Sequence, residues 1–152
     1  MGFEFGHLPA ATLAALAALG PLRVTPWRSV LVEGAQHSPH PEGAVCHADD
    51  PRLRVAACTG APGCAQALGP TRPLARAIAP LVPPGQVWHV SGCTKGCAHA
   101  EATVTLVASA AGYDLVDHGD AASPPVLRSL QPQEVIHRLQ ARTTAQQHAP
   151  HL

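Results

Sequence analysis

The sequence predicts an α/β (α+β) chain, with short apolar strands alternating with helices around a core of small side chains. Three observations carry this. Hydrophobic residues make up 46% of the 152 residues, enough for a packed core, yet aromatics are only 3%, so alanine, valine and leucine must fill it. Apolar runs such as "VWHVS", "ATVTLVA" and "YDLVDHG" are strand-like. Between such runs lie segments with helical spacing and helix-end residues.

Taken in order, "FEFG" reads as a short strand ending at Gly6. Residues 9 to 19 read as a helix, with Pro9 near its first turn, Gly20 as its stop, and Leu13, Leu16 and Ala17 on one face. Residues 22 to 33 read as a strand interrupted near Pro26, so residues 1 to 34 form a β-α-β piece. Residues 35 to 50, rich in Pro, Gly, His and Asp and without a period, read as a linker loop. Residues 51 to 147 then form the larger domain. "LRVAACTGAPGC" runs from a strand into a tight turn, and residues 71 to 81 form a helix that stops before Pro83 and Pro84. "VWHVS" leads into Cys93, and two further strands join at Ala110 to Gly112. Residues 132 to 147 form a last helix, with Pro132 at its first position and Glu134 in its first turn, followed by a frayed tail, "HAPHL".

Charge narrows the function. Charged residues are 13% and the formal net charge is zero, which argues against a general nucleic-acid or anionic-membrane binder. The apolar run Leu8 to Leu19 is shorter than the roughly 20 residues of a membrane span, and Glu4 rather than a basic region precedes it, so it reads as a buried helix and not a signal peptide. A cytoplasmic location is the expectation, and there cysteines serve as metal ligands or catalytic groups more often than as disulfides.

The cysteines are the strongest signal. Cys58 and Cys64 form C-x5-C, Cys93 and Cys97 form C-x3-C, 28 residues separate the pairs, and Cys46 stands apart. Four thiolates can hold zinc or an iron–sulfur cluster. A spacing of five is too wide for a zinc knuckle, and the residues in and beside the motifs, Thr59 to Gly63 and Gly92, Thr94 and Gly96, are small or turn-forming, with the glycines letting backbone N–H groups approach a bound anion. A [4Fe–4S] cluster on these four cysteines is the expectation, with zinc as the alternative. Lys95, the one lysine in the chain, sits between Cys93 and Cys97, where its ammonium can offset cluster charge or reach an anionic substrate.

"ACTGAPGC" followed by "HVSGCTKGCAH" resembles the nitrite and sulfite reductase superfamily, in which such pairs ligate a [4Fe–4S] cluster beside a tetrapyrrole. Within it, the wording is most similar to the precorrin-3B synthase branch, since Lys95 stands where the reductases carry Asn. "LRVTPWRSVLV" is similar to the superfamily strand that contacts the macrocycle, so Arg23, Thr25 and Arg28 are implied substrate contacts alongside Lys95. The resemblance covers roughly residues 3 to 140 and implies half of a nitrite/sulfite reductase-like fold. That half is a partial ferredoxin-like β-α-β piece followed by a cluster-binding α/β domain, here the C-terminal half alone. It further implies oxygen-dependent hydroxylation and lactone formation on precorrin-3A in aerobic cobalamin biosynthesis, an electron donor, a further iron centre or siroheme, and an N-terminal half, the chain being either a fragment or one piece of a split protein whose other half another chain supplies. A siroheme-dependent reductase half is the alternative within this chemistry. A non-catalytic iron–sulfur or zinc module docking to a partner is the alternative outside it.

Other residues carry less. Arg72 and Arg76 lie one turn apart on a predicted helix, as weaker substrate candidates. His37, His40 and His47 share the loop with Cys46 and read as exposed, with a second metal site the alternative. His89 reads as a satisfied core or sheet-face histidine, and His99 as a residue that could face the cluster or substrate. Trp27 and Trp88 read as packing residues.

Overall fold

A computed structural model describes residues 1–147 apart from residue 38, with the backbone alone for 143–147. The predicted frayed tail lies outside the described residues. The chain divides into two compact units, Met1–Leu53 and the residues from Arg54 onward.

The first unit is small. Strand β1 (Gly2–Phe3) runs into a 3-10 turn, Glu4–Gly6, in place of a longer strand. Helix α1 (Ala10–Ala17) follows, with Pro9 at its N-cap. Strands β2 (Leu22–Val24) and β3 (Val30–Val32) pair antiparallel, Arg23 opposite Leu31. The sequence suggested one interrupted strand closing a β-α-β piece. Pro26 and the left-handed Arg28 (φ 54°) turn the chain back on itself instead, which makes a hairpin. The segment expected as a linker contains β4 (Ala44–Val45), which pairs with β1. Phe3, Leu16 and Val30 form the core, with Met1, Leu8, Leu22, Val32 and Ala44 packed around it. Trp27 is not a packing residue: it stands 79% exposed at the hairpin turn.

The second unit is a five-stranded sheet in the order β5-β6-β7-β8-β9. Strand β5 (Val55–Ala57) is parallel to β6 (Trp88–Ser91), and β6 to β7 (Thr103–Ser109). Strands β8 (Gly112–Gly119) and β9 (Leu127–Leu130) complete it antiparallel. Parallel neighbours need a long crossover. Between β5 and β6 it contains α2 (Arg72–Ile78) and a 3-10 turn, Ala79–Leu81, ahead of Pro83 and Pro84. Helix α3 (Pro132–Gln147) spans the predicted residues. Helix α2 packs on β5 and β6, and α3 on β8 and α2. Leu74, Ile78, Trp88, Val90, Leu106, Val135 and Leu139 are all buried there. Each such aliphatic side chain contributes roughly 1.5–3 kcal/mol of transfer free energy. No described helix is long and apolar enough to cross a membrane.

Candidate metal centre

Strand register places side by side the starts of the two loops that carry the cysteine pairs. Val55 lies opposite Trp88, Ala56 opposite His89 and Ala57 opposite Val90. The chain therefore leaves β5 at Cys58 and β6 at Gly92 and Cys93 on the same edge of the sheet. Outside the carboxyl ends of neighbouring parallel strands, loops can close over a ligand. The Cys58 N–H still donates to Val90 O (3.0 Å), which holds the first loop against the second strand.

The loops interlock beyond that point. Leu68 N–H donates to Gly92 O (2.8 Å), Ala61 N–H to Gly69 O (3.0 Å), and Cys64 N–H to Gly60 O (2.9 Å). The Thr71 hydroxyl, at the start of α2, donates to Cys58 O (2.5 Å). Gly92 is required by contact: a Cβ there would lie 2.7 Å from Ala67 Cβ and 3.3 Å from Gly60 Cα. Gly60 is required by conformation as well, at φ +69° with Thr71 against it.

All five cysteines are free thiols. Cys58, Cys64 and Cys93 are half-buried, and Cys97 is exposed beside the exposed Lys95. Cys46 is exposed and belongs to the first unit. Among the described residues no three His, Cys, Asp or Glu side chains converge on one metal ion. That applies to the Cys46 loop and its histidines as well. An iron–sulfur cluster takes four thiolates from loops whose backbone can come close. Two interlocked, glycine-bearing loops carry four free thiols, the donor type of such a cluster.

Buried polar groups gather at Cys58. Its Sγ is 3.5 Å from His89 Nε2 and 3.4 Å from Ser91 Oγ, and Ser91 Oγ–H donates to Cys93 O (2.6 Å). His89 and Ser91 are both fully buried and, two apart on β6, share a face of the sheet. The His89 Nδ1 has no hydrogen-bond partner, so this core histidine is satisfied on one side only. Burial pushes its pKa down to about 4, which keeps the ring neutral near pH 7. The half-buried His99 sets its ring edge-on to that of His89, centroids 6.0 Å apart. Lys95 and His99, with Thr94 and Asp120, line a small cavity of about 120 Å³ at the second loop. Ser91 was missed in the sequence, although its alternation with His89 in "VWHVS" carried the signal.

The other predicted residues occupy the first unit, on the β2–β3 hairpin. Arg23 is ion-paired with Glu33, and its side chain is 73% exposed. The Thr25 hydroxyl bonds Ser29 O (3.2 Å) and Ser29 Oγ (2.7 Å) and accepts from Trp27 N–H (3.3 Å), so it braces the turn. Arg28 is exposed, with its stem against Gly6. The hairpin thus presents Arg23, Arg28 and the exposed Trp27, Val24 and Leu31. Arg72 and Arg76 lie one turn apart on α2, Arg76 exposed and Arg72 half-buried with its Nε lacking a partner.

No family model matches the chain. The sequence is similar to a curated precorrin-3B synthase from a Sinorhizobium species, 34% identical over 144 residues, a match covering 82% of this chain and 31% of that protein. The chain spans about a third of the length of the curated relative it matches. A chain whose two cysteine loops interlock at one sheet edge, and whose sequence tracks that protein over most of its own length, is a relative of precorrin-3B synthase.

Proposed function

We propose that this chain is the cluster-binding part of a precorrin-3B synthase-type monooxygenase, working on the tetrapyrrole precorrin-3A in cobalamin biosynthesis. The observation that supports the proposal is that Cys58, Cys64, Cys93 and Cys97, all free thiols, lie on two loops joined by the Leu68 N–H to Gly92 O bond, in a chain similar to a protein of that name. These four thiols would hold a [4Fe–4S] cluster, with the fold of a nitrite/sulfite reductase half around it. When bound, the cluster supplies electrons from an external donor. In the overall reaction one oxygen atom of O2 enters the macrocycle, which then closes a lactone, and the other leaves as water with two electrons and two protons from that donor.

The chain's own residues have definite tasks in this reading. Gly60 and Gly92 let the loops close. Thr71 and Ser91 tie down the Cys58 and Cys93 carbonyls. Lys95 places a cation beside Cys97, where it offsets the negative charge of a four-thiolate cluster or meets a substrate carboxylate. Arg23 and Arg28 offer guanidinium groups to the carboxylates at a precorrin's rim, a pairing Arg makes bidentately. The remaining part of the enzyme would bring further substrate contacts, with a further iron centre or siroheme among its equipment.

Anaerobic purification with iron and sulfide assays tests the reading. About four of each per chain, with a broad visible band that bleaches on reduction, is expected. Serine at Cys58, Cys64, Cys93 or Cys97 should abolish the band, while Cys46→Ser should leave it. Sharp tetrapyrrole bands would favour a siroheme-dependent reductase instead. A colourless chain holding one zinc would replace the redox role with a structural one.

A further inference from the structure

We infer that His89 is a positioning residue for Cys58: its Nε2–H donates to Cys58 Sγ and thereby orients that ligand and draws electron density from the metal centre. The inference rests on the cluster reading above and deepens it. His89 sits mid-way along β6, fully buried, held by its neighbours Ala56 on β5 and Thr105 on β7. Its ring cannot turn away to solvent. Its Nε2 lies 3.5 Å from Cys58 Sγ, within the reach of an N–H···S bond.

The placement of the ring proton follows from the two nitrogens' surroundings. Nδ1 is buried and has no partner. A proton there would be a buried donor with nothing to meet, the costly arrangement that folded proteins avoid. A proton on Nε2 meets sulfur. The alternative for a free thiol, S–H donating to Nε2, disappears once Cys58 is a thiolate on iron, because a thiolate has no proton to give. The contact then runs in one direction, N–H to sulfur. Ser91 Oγ lies 3.4 Å from the same sulfur, but its proton is directed to Cys93 O at 2.6 Å. Its oxygen therefore brings no competing donor. The consequence is electronic: hydrogen bonds to cluster sulfurs help set the reduction potential, and a donor stabilises the reduced, more negative form.

The test is a redox titration of the full chain, reconstituted anaerobically with iron and sulfide and followed by electron paramagnetic resonance. His89→Leu fills the space without a donor and should shift the cluster to a lower potential. His89→Gln retains an N–H and should return part of the shift. A potential unchanged in His89→Leu overturns the inference and leaves the cluster reading standing. If both variants lose the cluster, the loaded wild-type chain decides. In its oxidised, diamagnetic state the histidine 15N shifts must show Nε2–H, and an Nδ1–H tautomer overturns the inference. A wild-type chain that takes up no iron overturns both readings, and the iron assay on wild type separates that outcome from failure of His89's role alone.

Discussion

Gly92→Ala puts one methyl group where the two cysteine loops meet. The new Cβ would lie 2.7 Å from Ala67 Cβ, 3.3 Å from Gly60 Cα and 3.4 Å from Ala67 Cα. Carbon pairs sit best at about 3.5–4.0 Å, so the first contact is about 1 Å too short. None of the three atoms belongs to a side chain that can swing aside. Relief must come from backbone, by parting the loops and stretching the 2.8 Å bond from Leu68 N–H to Gly92 O. Overpacking of this kind costs about 1–3 kcal/mol, and for a chain of this size each kcal/mol lowers Tm by about 2–4 °C. Thermal unfolding followed by circular dichroism should therefore show Tm falling by roughly 2–12 °C. Iron content after reconstitution should fall with it. Gly2→Ala is the control, since its Cβ would meet Val45 at an ordinary 3.6 Å. A Gly92→Ala chain with wild-type Tm and a full complement of iron would refute the claim that loop closure at this point builds the site.

Three further outcomes test other parts of the reasoning. Tyr113, 5% exposed, donates its hydroxyl to Pro70 O, so Tyr113→Phe strands that carbonyl and should cost about 1–2 kcal/mol in denaturant unfolding. The Arg52 guanidinium, which also donates to Ala44 O (3.1 Å), holds the Asp50 carboxyl below its ordinary range. Because the folded pKa is the lower one, the stabilisation is present above the unfolded value near pH 4 and is lost as pH falls through the folded one. Asp50→Asn should thus lower stability at pH 7 by about 1 kcal/mol or less, and the gap from wild type should close in acid, as read from Tm against pH. Trp27→Ala removes a side chain that is 79% exposed, so Tm should move by less than about 2 °C, while a tetrapyrrole that docks on the hairpin should bind more weakly in a fluorescence titration.

The cysteine motifs were legible because spacing in a loop is a local property. C-x5-C and C-x3-C, each following an apolar run, announced two cysteine loops at the ends of two strands before any pairing was known. Helix α3 was legible for the same reason, since Pro132, Glu134 and the apolar period belong to the segment itself. Strand β9 was not. "LRSL" is short and contains Ser129 at φ 58°, and only hydrogen bonding to β8 makes it a strand. The β2–β3 hairpin was read as one strand because its apolar pattern runs through Pro26. The reversal at Arg28 decides the pairing. Trp27 was read as core because aromatic residues are, on average, buried. Its position at a turn tip overrides the average.

The sequence by itself determined the two cysteine motifs, helix α3 and the kinship to precorrin-3B synthase, because composition and spacing are carried along the chain. The tertiary structure alone decided that Cys58 emerges beside His89 and Ser91, that Gly92 locks one loop against the other, and that one imidazole nitrogen is left without a partner. Those facts depend on the register of β5 against β6, and register is set by which side chains bury together across residues distant in sequence.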